Sequence, residues 1–381
     1  MRTAAAEHDV ARATPPAVDT DDAAAGPRGS RTAWVDVAKG ISIVLVALHH
    51  VVIEAVVQGW VPDVAHEVSS TLGTLRMPLF FLASGIFATR TLAGGWGRLL
   101  ERRVLFFAWL YVLWLVIRYL WFGLVGHGID LGAWASPWAT VRQLWLPASG
   151  LWFLYALALY SLIGRATRAV PPAARVAAAA VLSALVGSGV VPVESYAWRS
   201  MALNLVFFLV GADASGAIRR RAAAFSRRTA AGVALGGTVA FVALTLALRE
   251  PDIAGVPGAR LLTSIVALTA GVAFAVALAG TWAGRGPEWL GTRTLEVYLI
   301  HALLLVPFAM LVALVHPGAW NVAVGLAMVL VTTVVVVAGS FAVARGLRSV
   351  GGGWVFAPPW HARGLALTSS ATRPAPTPAE P

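Results

Sequence analysis

Long apolar runs recur along this chain, separated by short polar joints, and that pattern leaves few folds open. Each run is close to the roughly 20 residues an α-helix needs to cross a hydrocarbon core. In lipid the backbone must satisfy its own polar groups, so runs of this length fold as helices. They fall at 37–57, 72–89, 104–124, 149–164, 175–191, 199–215, 230–248, 260–282, 294–315 and 320–344. The expected fold is therefore an all-α integral membrane protein with about ten transmembrane helices. Composition removes the soluble alternative. Apolar residues make up 58 % of the 381 and charged residues only 12 %, against about 25 % charged in a soluble domain. The stretch 126–148, with "DLGAWASPWATVRQLWLPA", is too polar and Pro-broken to span. Its tryptophans suit an interfacial or re-entrant segment.

The net charge of +11 is spread in short clusters between apolar runs, not gathered in one patch. That distribution excludes nucleic acid as the partner and suits loops on the cytoplasmic side of a bilayer. With the N-terminus inside, alternate joints collect Arg90, Arg98, Arg102 and Arg103, then Arg165, Arg168 and Arg175, then Arg219–Arg221, Arg227 and Arg228, then Arg285 and Arg293. The opposite joints hold little positive charge, and 54–71 instead carries Glu54, Asp63 and Glu67. The asymmetry places both termini in the cytoplasm, in a multi-pass protein of the cell membrane. Residues 1–30 read as a disordered tail, 350–381 as a flexible tail, and 31–349 as the transmembrane domain. No secretory signal is visible in the first thirty residues. The chain has no cysteine, which excludes disulfides, thiolate metal sites and a thiol nucleophile. No metal site and no permanently bound cofactor is expected.

Ionisable groups at membrane depth are costly and mark function by default. His50 and His301 sit well inside their runs, and Arg76 lies near the outer end of the second. Arg118 and Asp213 lie nearer run ends and carry less information. Lys39, the one lysine of the chain, precedes His50 by eleven residues. Eleven helical steps of about 100° return to within about 20° of the same stripe, roughly 16 Å along the axis. Lys39 then sits at the cytoplasmic surface and His50 near the middle of the membrane. Asp36 is spaced to pair with Lys39, and Glu54 to hold the second ring nitrogen of His50. His301 and Tyr298 share a face three residues apart. Helix-packing hydrogen bonds and a positive-inside anchor are the structural alternatives for these same residues.

The motifs themselves carry a resemblance. "DVAKGISIVLVALHH" (36–50) resembles the first-helix motif of the membrane acyltransferase family 3, with a basic residue, ten residues and then His. Its "AKGI" form is most similar to the branch of fucose 4-O-acetylase-like sugar acetyltransferases. "RMPLFFLASGIF" (76–87), "LWFLYAL" (151–157), "NLVFFLVGA" (204–212) and "LGTRTLEVYLIH" (290–301) resemble later family segments, in family order. The basic loop reads "RLLERRV" where many members have Arg-x-x-Arg, and Arg76 stands where the branch often has His. Ser84 and Gly85 read as a site of close helix packing.

The resemblance implies transfer of an acyl group, by default acetyl, from cytoplasmic acetyl-CoA to a hydroxyl of a carbohydrate or glycolipid of the cell envelope. A hydroxyl needs its proton removed, and a His is the usual base. His50 takes that role, with Glu54 and His301 beside it. Lys39, Arg98, Arg102 and Arg103 are expected to meet the CoA phosphates, and Arg76 and Tyr298 the acceptor. The distance from Lys39 to His50 is about the length of an extended pantetheine arm, and an acyl-histidine relay is a variant of the same chemistry. A proton-coupled transporter or flippase of an envelope precursor is the alternative reading. It lacks the broken, repeated helices such carriers use. A non-catalytic membrane partner in envelope assembly is a third.

Overall fold

The computed structural model describes residues 33–125, 131–315 and 321–360; the N-terminal tail expected at 1–30 lies outside them. The regular elements among the described residues are helices. We number the principal ones α1 (Ala33–Val57), α2 (Gly73–Ala93), α3 (Leu105–Val125), α4 (Trp152–Ala166), α5 (Pro172–Gly187), α6 (Tyr196–Asp213), α7 (Arg227–Ala247), α8 (Ala259–Leu278), α9 (Trp282–Gly291), α10 (Thr294–Val315) and α11 (Val322–Ser349). All but α9 fall on the ten apolar runs. Seven helices are long and apolar enough to cross a membrane, and the protein is an all-α integral membrane protein. These are α1, the continuous stretches Val64–Ala93 and Trp96–Val125, α7, α8, α10 and α11. α6 is bent by 77° from the short helix Ser215–Ala224 that follows, and the two make an eighth span if taken together. α4 and α5 are apolar but shorter, as expected where the runs at 149–164 and 175–191 are brief or Ala-rich.

Local signals set several ends. Ser195, Ser226, Thr281 and Asn321 precede α6, α7, α9 and α11, and each side chain accepts from a backbone N–H of the first turn, satisfying a donor with no partner inside the helix. The basic segment expected as a loop is instead helical. Trp96–Leu99 runs through a π-helical turn, Leu100–Val104, into α3. The stretch after α3 forms two short helices, Leu131–Trp134 and Pro137–Arg142, neither long enough to span.

α1 is the central element, packed by α2, α8, α9, α10 and α11. Lipid tails are as apolar as the helices, so backbone approach at small residues holds such bundles together. At the α2–α6 crossing, Gly85 lies against the Phe208 carbonyl and Gly211 against the Leu82 carbonyl, leaving no room for a Cβ on either side. At the α1–α9 crossing, Gly40 meets Pro287 and Gly291 meets the backbone of Asp36 in the same way. Ser84 is not part of the contact: its hydroxyl donates to Phe80 O within α2. Residues 350–360, expected to begin a flexible tail, pack on α3. A 3₁₀ turn at Gly352–Val355 buries Val355 and Phe356. Trp109 and Trp114 donate their indole N–H to Trp354 O and Val355 O. The aromatic residues interrupting the Gly-rich segment supply this anchor, and residues from 361 lie outside the described part.

Candidate active site

One large cavity of about 800 Å³ opens at one end of the bundle, within the usual size of a small-molecule site. It is lined by Val57 at the end of α1, Gly73 at the start of α2, Tyr196 at the start of α6 and Arg260 at the start of α8. Deeper in, His49, His50 and Arg76 line it, with Tyr298 of α10 and the Ser149–Gly150 turn before α4. Trp152 and Phe153 add aromatic faces.

His50 lines the cavity, and His301 lies beside it outside the lining, with ring centroids 5.1 Å apart. His301 is 2 % exposed, and its Nδ1 donates to Val297 O at 2.8 Å. A neutral ring with Nδ1–H presents its lone pair on Nε2, and that Nε2 is buried without a partner. Nδ1 of His50 is also buried and unpartnered. The Cε1–Nε2 edge of His50 faces Gly150, 3.9 Å from where a Cβ would stand. Tyr298 lies beside His301, centroids 6.4 Å apart, and its hydroxyl donates to Gly150 O at 2.6 Å. Three sequence candidates from two distant helices thus share one site.

Glu54 lines the cavity, but its carboxylate accepts from Gln58 Nε2 at 2.8 Å and leaves Nδ1 of His50 without a bond. The expected Glu54–His50 pair is therefore corrected: the same i,i+4 spacing that could join them joins Glu54 to Gln58 instead. His49 turns away, as its spacing requires, with Nδ1 2.9 Å from Ser69 Oγ and its ring stacked on His66. Arg76 is 5 % exposed and donates to Ser69 O at 2.7 Å.

The basic group expected at the donor side gathers at the other end of α1. Lys39 pairs with Asp36 at 2.8 Å, the i,i+3 contact its spacing implied, and lies 4.6 Å from the ring centroid of Phe87, near the end of α2. Neither Lys39 nor the Arg98–Arg103 segment lines the cavity. Arg98 and Arg102 are exposed, whereas Arg103 turns inward, donating to Ser161 Oγ at 2.9 Å and stacking over Phe107.

Sequence reasoning passed over Arg118. It is 3 % exposed, with NH2 within 3.4 Å of both Tyr298 O and Leu299 O. NH1 lies 3.6 Å from the position a Gly150 Cβ would take. The rule that flags charge inside an apolar run applied to Arg118 as much as to His50. Its place near the expected end of the run at 104–124 hid it. Arg260 and Asn204 also line the cavity, and no spacing signal marked either.

A family model for the acyltransferase domain of family 3 matches residues 32–345, most of the chain. No curated protein and no solved structure matches it.

Proposed function

From a chain that belongs to the membrane acyltransferase family 3, whose members are acyltransferases, we propose an O-acetyltransferase that moves acetyl from acetyl-CoA to a hydroxyl of a carbohydrate or glycoconjugate of the cell envelope. Family membership decides between the enzyme and carrier readings. The fucose 4-O-acetylase-like branch is our assignment, resting on the "AKGI" segment at 38–41 and the helices that follow it. So are the ten-span topology, both termini in the cytoplasm, and the cell membrane as the site.

The observation that carries the reading is His50 on the wall of a polar and aromatic cavity, backed by the close imidazole of His301, with a buried, unpartnered nitrogen on each ring. In our mechanism His50 takes the proton of the acceptor hydroxyl. The hydroxyl oxygen attacks the thioester carbon and forms a tetrahedral oxyanion. Collapse of that intermediate breaks the C–S bond, and His50 returns the proton to the departing thiolate of CoA. The lone pair on His301 Nε2, beside His50 and outside the cavity lining, can accept a hydrogen bond from protonated His50. Tyr298 has its hydroxyl hydrogen committed to Gly150, so it serves the acceptor as a hydrogen-bond acceptor. Arg118, whose NH1 stands beside Gly150 behind the cavity wall, is the guanidinium we assign to the oxyanion, where a fixed positive charge counts most in a site of low polarity. The acceptor enters through the cavity mouth. The CoA phosphates meet Lys39, Arg98 and Arg102 at the opposite end, with Arg103 holding that segment to α4.

The test is turnover of labelled acetyl-CoA by the purified full chain in lipid. His50→Ala should lower kcat by about 10²–10⁴-fold, the usual contribution of a general base, while thermal unfolding stays close to wild type. Full acyl transfer by a folded His50→Ala protein would overturn the assignment.

A further inference from the structure

The electrostatics of the cavity mouth say more about the acceptor than that it is a sugar. Two arginines face this space without a carboxylate. Arg76 is 5 % exposed, and the one hydrogen bond it makes among the described residues goes to a neutral carbonyl, Ser69 O. A guanidinium has five N–H donors. Gly73, lining the cavity beside it, leaves the NH2 side open, because a Cβ there would lie 3.6 Å from that nitrogen. Arg260 rests its stem on Gly187, within 3.5 Å of the position of a Cβ there, and its side chain lines both the main cavity and a smaller one of about 20 Å³ beside it. It makes no hydrogen bond or ion pair among the described residues. Arg199, a further cation, stands near Arg260, and Tyr196, which lines the cavity, stands near both Arg260 and Arg76.

Ion pairs among the described residues lie elsewhere, at Lys39–Asp36, Arg175–Asp213 and Arg348–Glu296. Among the described residues the one carboxylate lining the cavity, Glu54, is held by Gln58. α6 and α8 start at this mouth and α1 ends there, so the positive ends of two helix dipoles face the negative end of one. Leaving cations unpaired in a largely buried site is costly, and an anion brought by a ligand would remove that cost.

We propose that Arg76 and Arg260 form an anion subsite, and that the acceptor carries a phosphate or carboxylate group which this pair binds while its hydroxyl reaches His50. The word acceptor rests on the acyl-transfer reading; the anion subsite does not. The cavity opens at the end of α1 remote from Lys39, which assigns the anion to the acceptor and not to CoA.

The test measures Tm of the full chain in lipid, without acyl-CoA, titrated with glucose 6-phosphate, glucuronate and glucose, since a ligand that binds only the folded state raises stability by RT ln(1 + L/Kd) at free ligand concentration L. At least one of the two anionic sugars should bind about tenfold or more tighter than glucose, the effect of one charge-assisted contact. Which one wins identifies the substituent. Arg76→Gln and Arg260→Gln should each erase the preference, and Arg260→Lys should keep part of it, so a failure of folding is not mistaken for a result. Equal binding of all three sugars, or a preference that survives both Gln variants, overturns the subsite. Adenosine 3′,5′-bisphosphate, standing for the phosphate end of the donor, should not displace the sugar anion. Displacement that depends on Arg260 would hand the subsite to CoA and overturn the acceptor assignment. Acetyl-CoA turnover on the same preparation is read separately: if it is absent while anion preference persists, the acyl-transfer reading fails and the subsite stands.

Discussion

The two ends of α1 obey the same sequence rule and reach opposite states. At the Lys39 end the charge is satisfied by Asp36 and lies over Phe87 of α2, while α9 touches α1 nearby at Gly40 and at the backbone of Asp36. Three helical turns away, His50 leaves a ring nitrogen unpartnered beside His301, and a cavity opens next to it. Both residues stood out for the same reason, an ionisable group in an apolar run. The difference lies in their partners. An ammonium with one carboxylate contact holds the helix in place and still has N–H donors for a phosphate, whereas a buried ring nitrogen with no partner is left wholly to a ligand or a neighbouring imidazole.

The sharpest challenge to this contrast is Arg118, which belongs to the His50 end by geometry alone. Arg118→Gln should cut kcat by about 10²–10³-fold, as expected for removing a donor to a developing oxyanion, with the KM for acetyl-CoA nearly unchanged. Steady-state kinetics on the folded variant decide it. A loss of only a few fold would move Arg118 to the structural side of the comparison.

At the other end, Lys39→Gln should raise the KM for acetyl-CoA about tenfold, the effect of one charge-assisted contact to phosphate, and leave kcat alone. An unchanged KM with a stability loss below about 1 kcal/mol, typical of an accessible ion pair, would make Lys39 an anchor and nothing more. The smallest effect belongs to Glu54. Because Gln58 holds its carboxylate, Glu54→Gln should change kcat by less than about threefold, under 1 kcal/mol. A fall beyond tenfold would show that Glu54 and His50 act together during turnover, and the two ends of α1 would then differ less than their resting geometry suggests.

Much of the fold is legible in the sequence. All ten apolar runs became helices, because a segment of that length in lipid has no other way to satisfy its backbone. The Lys39–Asp36 pair was legible too, since helical spacing is local. Glu54 shows the limit of such spacing: it has two i,i+4 partners, His50 behind it and Gln58 ahead, and only the folded chain shows which one it takes. The basic segment at 98–103 shows another limit, because charge density suggested a loop where the chain continues as a helix.

What the sequence determined by itself is a membrane bundle carrying family motifs, because hydropathy and helical spacing act over a few turns. What only the tertiary structure decided is the site. The meeting of His50 with His301, the approach of Arg118 and Tyr298 to Gly150, and the opening of Arg76 and Arg260 onto one cavity join residues from as many as six separate segments. Those distances depend on how the helices cross, and the crossings depend on where backbones can touch, as at Gly85 and Gly40. No periodicity along the chain encodes that, because it is a property of pairs of helices and not of either one.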